Sequence, residues 1–215
     1  MKYKHVLFDL DGTLSESGTG IINSYEYTLK TYGIEYNRDD LKKLIGPPIK
    51  DNMRLYLKEG HDVDEYIKTY REYYSRQGIF ENNMYPGIKE LLEKLSDNGY
   101  CLYIASSKPT HYVEKVLKHF GIFEFFTSLS GDTLEGGHGD KEELINCVLN
   151  ENSIEDRSGV IMVGDRSFDI EGAIKCNVDS IGVLFGYGTK EELEEAGATF
   201  IAENSQDIWE IISRQ

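Results

Sequence analysis

From Tyr85 onward the chain alternates between short apolar runs and longer segments whose apolar residues recur at helical spacing, and this alternation restricts the fold most. Ile88, Leu91, Leu92 and Leu95 fall on one helical face, which Asn98-Gly99 brings to an end. Residues 100–105 then read as a strand, and Val113, Val116, Leu117 and Phe120 as a helix closed by Gly121. A further strand is expected over 125–129, and a helix through Leu144, Ile145, Val148 and Leu149. Residues 160–163 and 180–184 are apolar without alternation, the pattern of strands buried on both faces. Residues 199–202 and a helix around 208–212 finish the series. Repeated β-α-β units predict an α/β protein with a doubly wound parallel sheet covered by helices on both sides.

The N-terminal part has a different texture. An apolar run ends at Asp9 and is stopped by Gly12, as a buried first strand would be. Ile21, Ile22, Tyr25, Leu29 and Tyr32 then recur at helical spacing, as do Val63, Tyr66, Ile67, Tyr70 and Tyr74. Between them the Pro47-Pro48 pair requires a loop. The pattern predicts a core formed by 1–16 and 83–215, interrupted by an all-helical insertion over 17–82.

In open parallel sheets ligands bind beyond the carboxyl ends of the strands. That is where Asp9 and Asp11, Ser106-Ser107-Lys108, and Gly164-Asp165 with Asp169 are expected, while Lys141 opens the helix after the glycine-rich stretch Gly136 to Gly139. Hydrolysis of a phosphate ester needs a nucleophile, neutralisation of the equatorial oxygens and a proton for the leaving oxygen. A carboxylate nucleophile meets an anionic ester, so a hard cation such as Mg²⁺ must bridge the two. Asp9 and Asp165 can ligate it, Ser106 can donate a hydrogen bond, and Lys141 can place a positive charge on the transferred group.

Phe8-Asp9-Leu10-Asp11-Gly12-Thr13-Leu14 resembles the first signature of the haloacid dehalogenase superfamily. Ser106, Lys141 and Gly164-Asp165 with Asp169 follow in the order of its three later motifs. The resemblance implies that Asp9 is the nucleophile and a metal ligand, and that Asp11 is the general acid and base with its carbonyl also on Mg²⁺. It implies phosphate binding by Ser106, Ser107 and Lys141, metal ligation by Asp165, and support of the metal's water shell by Asp169. Asp11 favours phosphoryl transfer, because dehalogenating members lack an Asp there. The helical insertion resembles the superfamily's α-helical cap. Ile45-Gly46-Pro47-Pro48-Ile49, Ser107-Lys108-Pro109 and the segment Gly182 to Gly188 look most like the phosphoglycolate phosphatase-like group, a look shared by pyrophosphatases and nucleotidases.

Composition narrows the partners. The formal charge of −15 argues against a nucleic acid polymer, and no apolar run approaches the roughly 20 residues of a bilayer span. Three cysteines without a Cys-x-x-Cys pair suit a reducing, cytoplasmic setting. The expectation is a monomer or weak homodimer acting on a small phosphorylated metabolite. Two rivals use the same residues, a phosphosugar mutase and a phosphoacceptor regulatory domain. Lys108 and Arg166 read equally well as substrate contacts or as ion pairs, and Lys50, Arg54 and Arg71 as a solvated face.

Overall fold

The computed structural model describes residues 2–47, 49–134 and 140–214. The glycine-rich stretch Gly136 to Gly139 and Pro48 lie outside the described residues. The chain divides into two compact units, Met1–Ser15 with Met84–Gln215, and Glu16–Asn83.

The first unit is built on β1 (His5–Phe8), β4 (Cys101–Pro109), β5 (Phe126–Asp132), β6 (Val160–Gly164), β7 (Asp179–Val183) and β8 (Phe200–Ala202), all parallel, in the order β5-β4-β1-β6-β7-β8. Its helices are α5 (Ile88–Asp97), α6 (Thr110–Phe120), α7 (Lys141–Glu151), α8 (Ser167–Lys175), α9 (Lys190–Glu195) and α10 (Ser205–Ser213). From β1 the sheet grows outward through β4 to β5, and the chain then returns past β1 to add β6, β7 and β8. With right-handed crossovers, that reversal puts α5 and α6 on one face and α7 and α8 on the other. On the α7–α8 face Leu7, Tyr103, Ala105, Val160 and Met162 meet Leu144, Ile145, Val148 and Ala173 in one buried cluster. Every residue of β6 is buried, as its unbroken apolar run predicts.

Two short strands, β2 (Ser15–Glu16) and β3 (Asn83–Met84), pair where the chain passes between the units. The second unit contains α1 (Gly18–Thr31), α2 (Arg38–Leu41), α3 (Ile49–Arg54) and α4 (Val63–Arg76). Here the tyrosines are packing residues: Tyr25 and Tyr70 lie 4.9 Å apart by ring centroids, and Tyr32 stacks on Tyr66 at 3.9 Å. The buried Asn52 amide donates to the Tyr25 hydroxyl and to the Leu44 carbonyl, which ties α3 to α1. Lys50 and Arg54 pair with Asp64 and Asp51 on exposed positions, as a solvated face requires. No helix among the described residues is long and apolar enough to cross a membrane.

Two elements extend beyond their apolar signals. The strand expected over 100–105 continues as β4 to Pro109, with an irregularity between Ser106 and Pro109. The strand expected over 125–129 reaches Asp132 because Ser130 pairs with Ala105, and Gly131 and Asp132 pair with Ser106 and Pro109 of that extension.

Candidate active site

The order in which strands are added reverses at β1, so the carboxyl ends of β4, β1 and β6 lie at the switch point where an α/β sheet opens to ligands. Asp9 directly follows β1, and its N–H bonds the Val163 carbonyl of β6 at 2.9 Å, which fixes the backbone. The chain then turns tightly: the N–H groups of Thr13, Leu14 and Ser15 all converge on the Leu10 carbonyl. Gly12 has φ +91°, a left-handed conformation that suits glycine, and a Cβ there would lie 2.2 Å from an Asp165 carboxylate oxygen.

Asp165 follows β6 and is fully buried. Its Oδ2 accepts from the Tyr187 N–H at 2.8 Å, and its Oδ1 from the Thr13 hydroxyl at 3.3 Å. A Cβ on Gly186 would stand 2.3 Å from the Asp165 Cβ, and one on Gly188 2.0 Å from its carbonyl oxygen. The loop after β7 is therefore moulded against Asp165 at glycine distance. Asp169 sits in the first turn of α8, where its Oδ2 accepts from the Arg166 N–H at 3.1 Å.

Asp9, Asp165 and Asp169 each offer an oxygen within 4.8 Å of the others, and all three residues are buried. Lys141, the first residue of α7, reaches into this group and is equally buried. Its ammonium pairs with Asp169 Oδ1 at 2.7 Å and Asp9 Oδ1 at 3.0 Å and donates to the Ala105 carbonyl at 2.8 Å. All three donor directions are thus occupied. Burial alone would lower the Lys141 pKa, but Asp169 and Asp9 outweigh it and hold the group above its ordinary value. Burial pushes Asp165 well above the usual carboxylate range, aided by repulsion from Asp169 and then Asp9. Asp169 is raised for the same first reason, with Lys141 opposing.

Asp11 lies apart from the three clustered carboxylates in its contacts: its Oδ2 is paired with the Lys108 ammonium at 2.5 Å. Ser106 is buried near the end of β4, and its hydroxyl accepts from the Lys108 N–H at 3.4 Å; Ser107 follows it on the same strand, half-buried. Arg166 pairs with Glu192 at 2.8 Å, and Glu192 also accepts from the Ser167 N–H. Of the two cations left open by the sequence, Lys108 points to the carboxylates and Arg166 ties α9 to the start of α8.

Four carboxylates, Asp9, Asp11, Asp165 and Asp169, face two ammonium groups, Lys108 and Lys141. Fully ionised, the four carboxylates would exceed the two ammonium groups by two charges, which a divalent cation would balance. The donors are all hard oxygens, the set that Mg²⁺ takes and that soft metals do not select. The three carboxylates therefore fit Mg²⁺. Because Asp165 and Asp169 have raised pKa values in the folded protein, they stabilise it most below their unfolded value of about 4, and that stabilisation is lost as pH rises through the folded values. Mg²⁺ bound there would replace those protons. We therefore expect the rise in melting temperature on adding Mg²⁺ to metal-stripped protein to be larger at pH 7.5 than at pH 5. An increment that is absent, or equal at both pH values, would contradict metal binding at these carboxylates.

Residues 6–183 match the family model of the haloacid dehalogenase-like hydrolases. A 5'-nucleotidase of Pseudomonas aeruginosa is 36% identical over 197 residues, covering 90% of this chain and 88% of that one. The tyrosine-protein kinase PtkA of Mycobacterium tuberculosis is 33% identical over 198 residues, 91% of this chain and 67% of its own. Among solved structures, a protein from Clostridium difficile described as a phosphatase superposes with a TM-score of 0.90 at 44% identity, covering 99% of both chains. With the family match spanning most of its length, the chain belongs to the haloacid dehalogenase-like hydrolases.

Proposed function

We propose that the protein is a Mg²⁺-dependent phosphatase that hydrolyses a small phosphate monoester through an aspartyl-phosphate on Asp9. The observation that carries this reading is the buried group of Asp9, Asp165 and Asp169 with Lys141 paired to two of them. Mg²⁺, held by Asp9, Asp165 and the Asp11 carbonyl, would neutralise the phosphoryl oxygens so that one anion can approach another. Asp169 supports that site and fixes Lys141.

In the first step an Asp9 carboxylate oxygen forms a bond to phosphorus while the ester P–O bond breaks. Asp11, protonated, gives its proton to the leaving oxygen. Ser106 and Ser107 hold the phosphoryl oxygens, and Lys141 steadies both Asp9 and the transferred charge. In the second step Asp11 takes a proton from water, which attacks phosphorus and releases phosphate from Asp9.

The unit Glu16–Asn83 is read as the cap, which would exclude bulk water and choose the ester. Phosphoglycolate is the first candidate substrate, from the resemblance of the segments 45–49 and 182–188. The name of the Pseudomonas aeruginosa relative makes nucleoside monophosphates the next one, and the look shared with pyrophosphatases adds pyrophosphate. A cytoplasmic setting belongs to the same reading, and the three cysteines are free thiols.

Phosphate release should be measured over phosphoglycolate, nucleoside monophosphates, pyrophosphate and sugar phosphates, with and without EDTA. Turnover of one of these with restoration by Mg²⁺ is the expected result. A single phosphorylation per chain without further turnover would replace this reading with that of a phosphoacceptor, and isomerised sugar phosphate with that of a mutase.

A further inference from the structure

Lys108 has no role in the proposed steps, yet with Lys141 it is one of two buried lysines among the described residues, and it lies near the carboxyl end of β4. Its side chain is 6% exposed and that of Asp11 17%, so the pair is largely withdrawn from water. A lysine held there without a carboxylate would be strongly unfavourable. Among the described residues, the other Asp11 oxygen, Oδ1, is buried and has no hydrogen-bond partner.

The backbone is shaped to bring Lys108 to this place. β4 follows β5 in regular register from Tyr103 to Ser106, slips, and resumes only at Pro109. The slipped residues include Lys108, and β5 passes them at Gly131, where a Cβ would lie 2.6 Å from the Lys108 carbonyl oxygen and 2.8 Å from the Thr110 nitrogen. Pro109 then fixes the entry to α6. A glycine opposite an irregular strand end is the arrangement that re-aims a side chain.

We infer that Lys108 is a positioning residue for Asp11: its ammonium pins Oδ2 and thereby fixes the rotation of the carboxyl group that carries the proton to the leaving group. The inference rests on the reading of Asp11 as the general acid. The P–O bond breaks, its electron pair goes to the leaving oxygen, and the proton on the Asp11 carboxyl ends on that oxygen.

A carboxyl group that is free to rotate spends less time aligned with the leaving oxygen. The loss should therefore grow as the leaving group becomes poorer and needs the proton more. Phenyl phosphate and p-nitrophenyl phosphate provide a pair of similar size with leaving groups of different quality. In Lys108→Met, kcat should fall at least about fivefold more for phenyl phosphate than for p-nitrophenyl phosphate, with KM for both kept within about twofold. Lys108→Gln, which keeps a hydrogen-bond donor, should show the same selectivity to a smaller degree and serves if the Met variant does not fold. An equal loss with both esters would reduce Lys108 to a structural residue and overturn the inference. A rise in KM at unchanged kcat would do so too, by making Lys108 a contact for the bound phosphate. Asp11→Asn separates the two ideas. If it lacks leaving-group selectivity, the acid role of Asp11 fails; if it has it and the Lys108 variants do not, only the positioning role fails.

Discussion

Asp9→Asn should fold normally and release phosphate at least about 10⁴-fold more slowly than the wild type, since the substitution removes the attacking charge at nearly constant shape. The same change bears on stability, because Asp9 is one of the charges that repel Asp165 and Asp169. In EDTA the variant should melt no lower than the wild type, although Lys141 loses one of its two carboxylates. With Mg²⁺ its melting temperature should rise less than that of the wild type. Loss of activity together with loss of folding would leave the nucleophile unassigned, and activity near the wild-type level would remove Asp9 from the mechanism. Calorimetric melts and phosphate release on one preparation decide between these outcomes.

The second large effect is expected far along the chain from Asp9. Gly188→Ala places a Cβ 2.0 Å from the Asp165 carbonyl oxygen, a separation that no side-chain rotation relieves because both partners are backbone-fixed. Either the loop after β7 or the end of β6 must move. Overpacking of this kind costs about 1–3 kcal/mol, or roughly 2–12 °C in melting temperature for a chain of this size. The specific consequence is at the metal: a displaced Asp165 should weaken Mg²⁺ binding, measured by titration calorimetry, by about tenfold or more. Gly99→Ala is the control. Gly99 has φ +81° with nothing within 4 Å of its Cβ position, so alanine there strains the backbone without touching the site. It should lower stability and leave Mg²⁺ affinity alone. Equal loss of Mg²⁺ affinity in both variants would mean that general destabilisation, and not the contact with Asp165, is responsible.

Most of the core was legible because its elements carry their own signals. The unbroken apolar run Val160 to Val163 identifies β6, and Asn98-Gly99 marks the end of α5. What escaped was set by pairing between distant segments. The last residues of β4 and β5 are polar and hold strand geometry through each other, which no periodicity reveals. α9 has a single buried apolar residue, Leu193, and shows no apolar face in the sequence. At the site, Asp9, Asp11, Asp165 and Asp169 were visible as acids in glycine-rich contexts after apolar runs. Lys108 was visible only as a lysine near a serine, because its pairing with Asp11 spans 97 positions. Gly186 and Gly188 gave a composition signal whose meaning lies in their distance to Asp165.

The imbalance between four carboxylates and two ammonium groups also bears on the sequence of binding events. With its carboxylates ionised, the metal-free site would present a local excess of negative charge to a substrate phosphate, on a chain whose overall charge is −15. Bulk repulsion of this kind extends over a Debye length of about 8 Å at physiological ionic strength and opposes the approach of anions. On the proposed function, binding would then be ordered, cation before ester. The rate of substrate capture by the metal-loaded protein should rise with added inert salt, the reverse of an enzyme that draws its substrate in by opposite charge.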